Sequence, residues 1–179
     1  MRKENIVKCT KKTSRSKFVE PATRPVIQAL IESFQTELST LMNSARAAYE
    51  EATHEESQSE DKHDTRAIEA SYLAAGQVAR AMELERIISE YKGYLETSHK
   101  SKNKVGPGAL AELETNGKTI CTFFARQGGG TKVTVNGKTI IVTTPMSPLG
   151  EALIDSEEDD EVFVDTHNGP RSYTVQSLQ

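Results

Sequence analysis

The chain contains no tryptophan, and aromatic residues make up only 6% of its 179 residues. Hydrophobic residues account for 36%, with a mean hydropathy of -0.54. So lean a composition argues against one large globule and suits an extended element joined to a small compact module. No apolar run approaches the ~20 residues that span a bilayer, which excludes a transmembrane helix. The stretch from Met1 to Cys9 carries charge but no long apolar core, so a secretory signal is not expected. Cysteine is scarce: Cys9 and Cys121 stand far apart without CxxC or metal-ligand spacing. They read as reduced thiols of a cytoplasmic protein. An overall excess of positive charge is also missing, since the net charge is -4. That balance excludes a general nucleic-acid binder.

What charge there is lies unevenly. Residues 1–20 carry Arg2, Lys3, Lys8, Lys11, Lys12, Arg15 and Lys17 against Glu4 and Glu20, with no helical or alternating period. This segment reads as a basic tail, either simply flexible or an arm that touches RNA or DNA phosphates. At the other extreme, residues 55–64 read Glu-Glu-Ser-Gln-Ser-Glu-Asp-Lys-His-Asp.

That acidic run sits between two apolar stripes. One follows Ile27, Ile31, Phe34, Leu38, Leu41, Ala45, Ala48 and Ala52; the other follows Ala67, Ala70, Ala74, Gln77, Ala81, Leu84, Ile88, Tyr91 and Leu95. Steps of three and four are the seam of packed helices. Folding the chain back on itself sets Ile27 against Leu95, Leu38 against Leu84 and Ala52 against Ala70, all symmetric about Asp61. Residues 21–98 are therefore predicted to form an antiparallel coiled-coil hairpin with an acidic tip. Thr23 is the candidate N-cap of the first helix and Asp64 or Thr65 that of the second. From Ile27 to Ala52 the first helix would extend ~38 Å. Bulky residues face one another at the base and alanines near the tip, so the arm should taper. The mirror symmetry favours an intramolecular pair, hence a monomer, over a dimerisation device. His54 and His63 flank the tip, but no HExxH-like spacing marks a metal site.

Residues 99–108 are polar and basic and close on Gly106-Pro107-Gly108, the pattern of a linker. Beyond them the period changes. Leu110–Glu114, Thr119–Phe124, Lys132–Val135, Thr139–Thr143, Glu161–Val164 and Tyr173–Val175 are strand-like, with Asn-Gly turns at 116–117, 136–137 and 168–169. Ser147 followed by Pro148 opens a short helix through Leu153. Residues 109–179 thus form an α+β module, a curved sheet over a short helix. Gly128-Gly129-Gly130 lacks the Lys-Ser/Thr and following helix of a phosphate loop and reads as a flexible turn.

One resemblance is specific. Ser147-Pro148-Leu149-Gly150-Glu151-Ala152-Leu153, then Asp160-Glu161-Val162, then Tyr173-Thr174-Val175, is similar to the C-terminal domain of the bacterial Gre transcript-cleavage factors. Tyr72-Leu73-Ala74-Ala75 resembles the Tyr-x-Ala-Ala found beyond the acidic tip in that family, and the domain order agrees. The resemblance implies an FKBP-like fold for residues 109–179. It implies docking on bacterial RNA polymerase through Ser147, Pro148, Leu149 and Gly150, with the arm in the secondary channel. The tip acids Glu60, Asp61, Asp64 and Glu69 would then assist the polymerase's own Mg²⁺ in hydrolysing backtracked RNA. On that reading the chain holds no metal or cofactor of its own and is not itself an enzyme, and nascent RNA would meet the basic tail. The tip departs from the family's Asp-x-Ser-Glu-Asn. Asp64 matches its first acid, Glu69 matches the second only across an insertion, and Asp61 with Asp64 keeps the spacing of three earlier in the chain. A non-cleaving relative that occupies or competes for the channel is the alternative. An FKBP-like fold also raises a prolyl isomerase, for which the module offers only Phe123, Phe124, Phe163 and Tyr173 as pocket aromatics. A scaffold whose arm binds another helix is the third option.

Overall fold

The computed structural model describes residues 23–52, 65–97, 103–167 and 169–179. The fold is α+β. Two long helices, α1 (Thr23–Ala52) and α2 (Thr65–Thr97), form a hairpin. Six strands follow: β1 (Ala109–Thr115), β2 (Lys118–Phe124), β3 (Lys132–Val135), β4 (Lys138–Thr143), β5 (Glu161–Thr166) and β6 (Gly169–Leu178). A single short helix, α3 (Pro148–Leu153), lies between β4 and β5.

The seam is where the apolar period places it. Ile27, Ile31 and Phe34 of α1 are buried with Leu84, Ile88 and Tyr91 of α2, and Leu38, Leu41 and Leu95 pack against them. The antiparallel register is fixed by two contacts whose midpoints fall on either side of residue 61. The Phe34 and Tyr91 rings meet edge-on with centroids 5.1 Å apart. Closer to the tip, Arg80 Nη2 donates to Glu37 Oε1 at 2.6 Å. Ala74, expected in the seam, is exposed. The apolar period sets Ala74 opposite Ala48, and a facing methyl is too short to cover it. Thr23 is the first residue of α1 and is buried; its hydroxyl donates to Gln179 Oε1 at 3.5 Å.

The strands follow from alternation and turn chemistry. Asn116 and Gly117 have φ of 51° and 71°, and Asn136 and Gly137 have 52° and 76°. Both positive angles are what a two-residue hairpin turn needs, and Asn-Gly supplies them at little cost. The sheet order is β3-β4-β2-β1-β6-β5, antiparallel except where β4 runs parallel to β2. Each face is covered over only half its width. Leu110, Cys121, Phe123, Ile140 and Val142 face the base of the arm. Ala109, Ala111, Leu113, Phe124, Val164, Tyr173 and Val175 face the other way and pack with Leu153 of α3. Val105 joins this second cluster, 1% exposed, and its amide donates to Ser156 O at 2.8 Å.

The arm is fastened to the sheet by residues outside the seam. Val26, Leu30 and Ile87 are also buried in the cluster that holds Phe123 and Ile140. At its centre Tyr91 contacts Phe34, Tyr94 and Phe123, and its hydroxyl donates to Gln127 O at 3.1 Å. Tyr94 stacks edge-on against Phe123 and donates to Glu90. The Arg126 amide reaches both Glu90 Oε1 and the Tyr94 hydroxyl at 3.3 Å. Gly128 lies directly under this group. It has φ +79°, and a Cβ there would stand 2.7 Å from Phe34 Cζ and 3.1 Å from the Tyr91 hydroxyl. Gly128 of the triplet is therefore the seat of the arm, which a turn between strands alone would not require.

Gly128→Ala should cost ~2–3 kcal/mol, combining a left-handed backbone with an overpacked contact. Urea denaturation measures it, and Gly130→Ala, which meets open space, isolates the backbone part. Burial holds the Tyr91 hydroxyl pKa well above its ordinary value of 10.0. Its contribution is whole below that value, and is lost as rising pH ionises the unfolded chain while the folded one resists. Above about pH 10 the unfolding midpoint should fall less steeply for Tyr91→Phe than for the wild type.

Candidate functional site

The far part of the arm runs beyond the helix turns that pack on the sheet. Past Phe34, the last fully buried residue of α1, the helix continues to Ala52, ~27 Å at the standard rise. Glu60, Asp61 and Asp64 lie outside the described residues, in the segment joining the far ends of α1 and α2. His54 and His63 lie there too. Glu69 stands in the second turn of α2. Among the described residues, no group of three or more His, Cys, Asp or Glu side chains is arranged to hold a metal ion.

The two flanks of the arm differ. On one, Arg80 forks onto Glu37 through Nε and Nη2 at 3.2 and 2.6 Å and reaches Glu83 at 2.8 Å. Hydrogen bonding to Glu37 is the main cause that raises the guanidinium pKa. The group is exposed, so it contributes more to register than to stability. On α2, Val78 and Met82 are one turn apart and roughly opposite Arg80, 60% and 51% exposed. Met42 of α1 and Leu73 of α2 are exposed as well. Val78 and Met82 thus expose apolar atoms away from the Arg80–Glu37 pair, while Leu73, seven residues before Arg80, is exposed on the pair's own side of α2.

The second candidate region is the turn into α3. Ser147 is its N-cap: the hydroxyl accepts from Gly150 N at 3.0 Å and donates to Thr144 O at 2.8 Å. Pro148 follows at the helix start, where its missing N–H costs nothing. A Cβ on Gly150 would fall 1.9 Å from Thr144 O, so only glycine fits. Leu149 is half-buried against the α3-side cluster. Of the four residues assigned to docking, Pro148 alone is exposed; Ser147, Leu149 and Gly150 shape the turn that presents it. Met146, beside Pro148, is 92% exposed, and the strand and turn pattern does not mark it. The only signal for it was an apolar residue immediately before an N-cap.

The aromatics raised for a prolyl isomerase pocket do not converge. Phe123 is buried under the arm, Phe124 and Tyr173 on the opposite face, and Phe163 is 66% exposed. The Cys121 thiol is buried, and burial together with Glu112 raises its pKa, so it is no activated nucleophile.

No family model matches the chain, and no curated protein matches it. Solved structures do show likenesses. Thermus aquaticus Gfh1 is 20% identical, with 88% of this chain and 94% of that one covered at a TM-score of 0.36. The GreA factor homolog 1 (Gfh1) of Thermus thermophilus is 16% identical, covering 88% and 95% at 0.34. A GreA/GreB transcription elongation factor from Nitrosomonas europaea is 12% identical, covering 56% and 92% at 0.33. Likenesses with TM-scores this low decide nothing about the function of this chain.

Ser147→Ala should cost ~1 kcal/mol through loss of the cap, and Gly150→Ala more, because a backbone carbonyl blocks the methyl group. Thermal unfolding of the two variants checks the order.

Proposed function

We propose that this chain is a transcription factor of the Gre type that binds bacterial RNA polymerase and enters its secondary channel with the helical arm. The observation that carries the reading is a rod seated firmly on a compact sheet domain, with an acid-rich segment joining the rod's far ends. Such a device delivers carboxylates to a depth its own body cannot reach. The similarity of residues 147–153 and 72–75 to that family supports the same reading. Met146 and Pro148 would meet the rim of the channel. The exposed Val78 and Met82 would lie against its wall, and the Arg80–Glu37 pair would face water.

At the tip, Glu60, Asp61, Asp64 and Glu69 are the candidate residues. Mg²⁺ is a hard cation that prefers oxygen ligands, and in the polymerase it would supply Lewis-acid activation of water. The carboxylates would hold and orient that water and steady the charge of the metal centre. The active site is the polymerase's, and the protein acts as a cytoplasmic monomer without a cofactor of its own.

The test couples a pull-down of polymerase with transcript cleavage on stalled elongation complexes. Asp61→Ala/Asp64→Ala should leave binding intact and lower stimulated cleavage roughly 10–100-fold, the size expected when groups that steady a metal are removed. Binding with no cleavage by the wild type moves the protein to the non-cleaving, competing branch. No binding at all overturns the proposal.

A further inference from the structure

Half of each sheet face is covered by another part of the fold, and one uncovered half has a distinct chemistry. The arm lies over β3, β4 and β2, whereas α3 lies on the opposite face. On the arm's side, no element among the described residues covers the surface of β5 and β6. β5 is the edge strand, and its residues alternate strictly. Val162 and Val164 turn towards α3, while Glu161, Phe163 and Asp165 turn to the open side, all three exposed. The face thus shows an aromatic ring between two carboxylates. From Glu157 to Thr166 the chain carries no lysine, arginine or histidine.

The start of α1 lies on the same side. Thr23 bonds to Gln179 at 3.5 Å, and Leu178 N donates to Glu158 Oε1 at 2.8 Å, so α1 begins beside the end of β6 and the turn that leads into β5. Residues 1–20 hold seven lysines and arginines against two acids, together with Ile6, Val7, Phe18 and Val19. At ~3.3 Å per residue they are more than long enough to run the length of β5 from that root. Tethering so near the surface gives an effective concentration on the order of millimolar, so weak contacts suffice.

We propose that the basic segment of residues 1–20 docks on the open face of β5 and β6 of its own chain. Its cations pair with Glu161 and Asp165, and an apolar residue covers Phe163. The docking is salt-sensitive, because the ion pairs are exposed. It makes the segment unavailable to nucleic acid until another partner displaces it.

Limited trypsin cleavage of the full chain, followed by mass spectrometry at Arg15 and Lys17, tests this without reference to polymerase. At low salt, cleavage in the wild type should be roughly tenfold slower than at about 0.5 M salt, the size two surface ion pairs reach. A Glu161→Gln/Phe163→Ser/Asp165→Asn variant should be cut at the fast rate in low salt, with an unchanged unfolding midpoint. Rates that do not depend on salt in the wild type overturn the proposal without any variant. Protection that survives the triple substitution overturns it too, as does protection that appears only when RNA is added.

Discussion

The aromatic seat of the arm governs the rest of the molecule. A helical hairpin has no fixed direction unless something other than its own seam holds it. Here Tyr91 spans three partners at once: Phe34 across the seam, Tyr94 one turn along and Phe123 in the sheet. Edge-on aromatic pairs add to what burial alone contributes, and the Tyr91 hydroxyl closes on a backbone carbonyl. The arrangement works only because residue 128 has no side chain. A bulky cluster at the base and a glycine beneath it are therefore one structural unit, though far apart in sequence.

From that seat the functional geometry follows. The arm gains its reach from the seam past Phe34, where buried Leu84 and partly buried Leu38 and Leu41 hold the helices together. Among the described side chains the fully buried ones lie at the base of the arm, so its stability is concentrated at the body. The sheet is covered on alternate halves, by the arm on one side and α3 on the other. That leaves the Met146–Pro148 corner and the β5 face exposed, the places where this small module can meet another surface.

Most of the architecture is legible in local pattern. The seam residues, the helix limits, the Asn-Gly turns and the Ser147-Pro148 helix start all depend on contacts within a few residues, where period and turn chemistry are decisive. Local pattern fails where contacts are remote. Val26, Leu30 and Ile87 look like ordinary flanking positions until a sheet is placed beneath them. The glycine triplet looks like slack because nothing near it in sequence demands room. Nothing near Gly150 in the sequence pattern shows that the Thr144 carbonyl stands where a side chain would go.

Sequence alone determined that there is a hairpin with an acidic loop and a β-rich module after it. It did so because hydrophobic period and backbone φ preferences are local properties. Only the tertiary structure decided how the two parts are joined and which half of the sheet stays open. Those depend on Tyr91, Gly128 and Phe123 meeting in space, and no periodicity encodes a meeting between residues so distant along the chain.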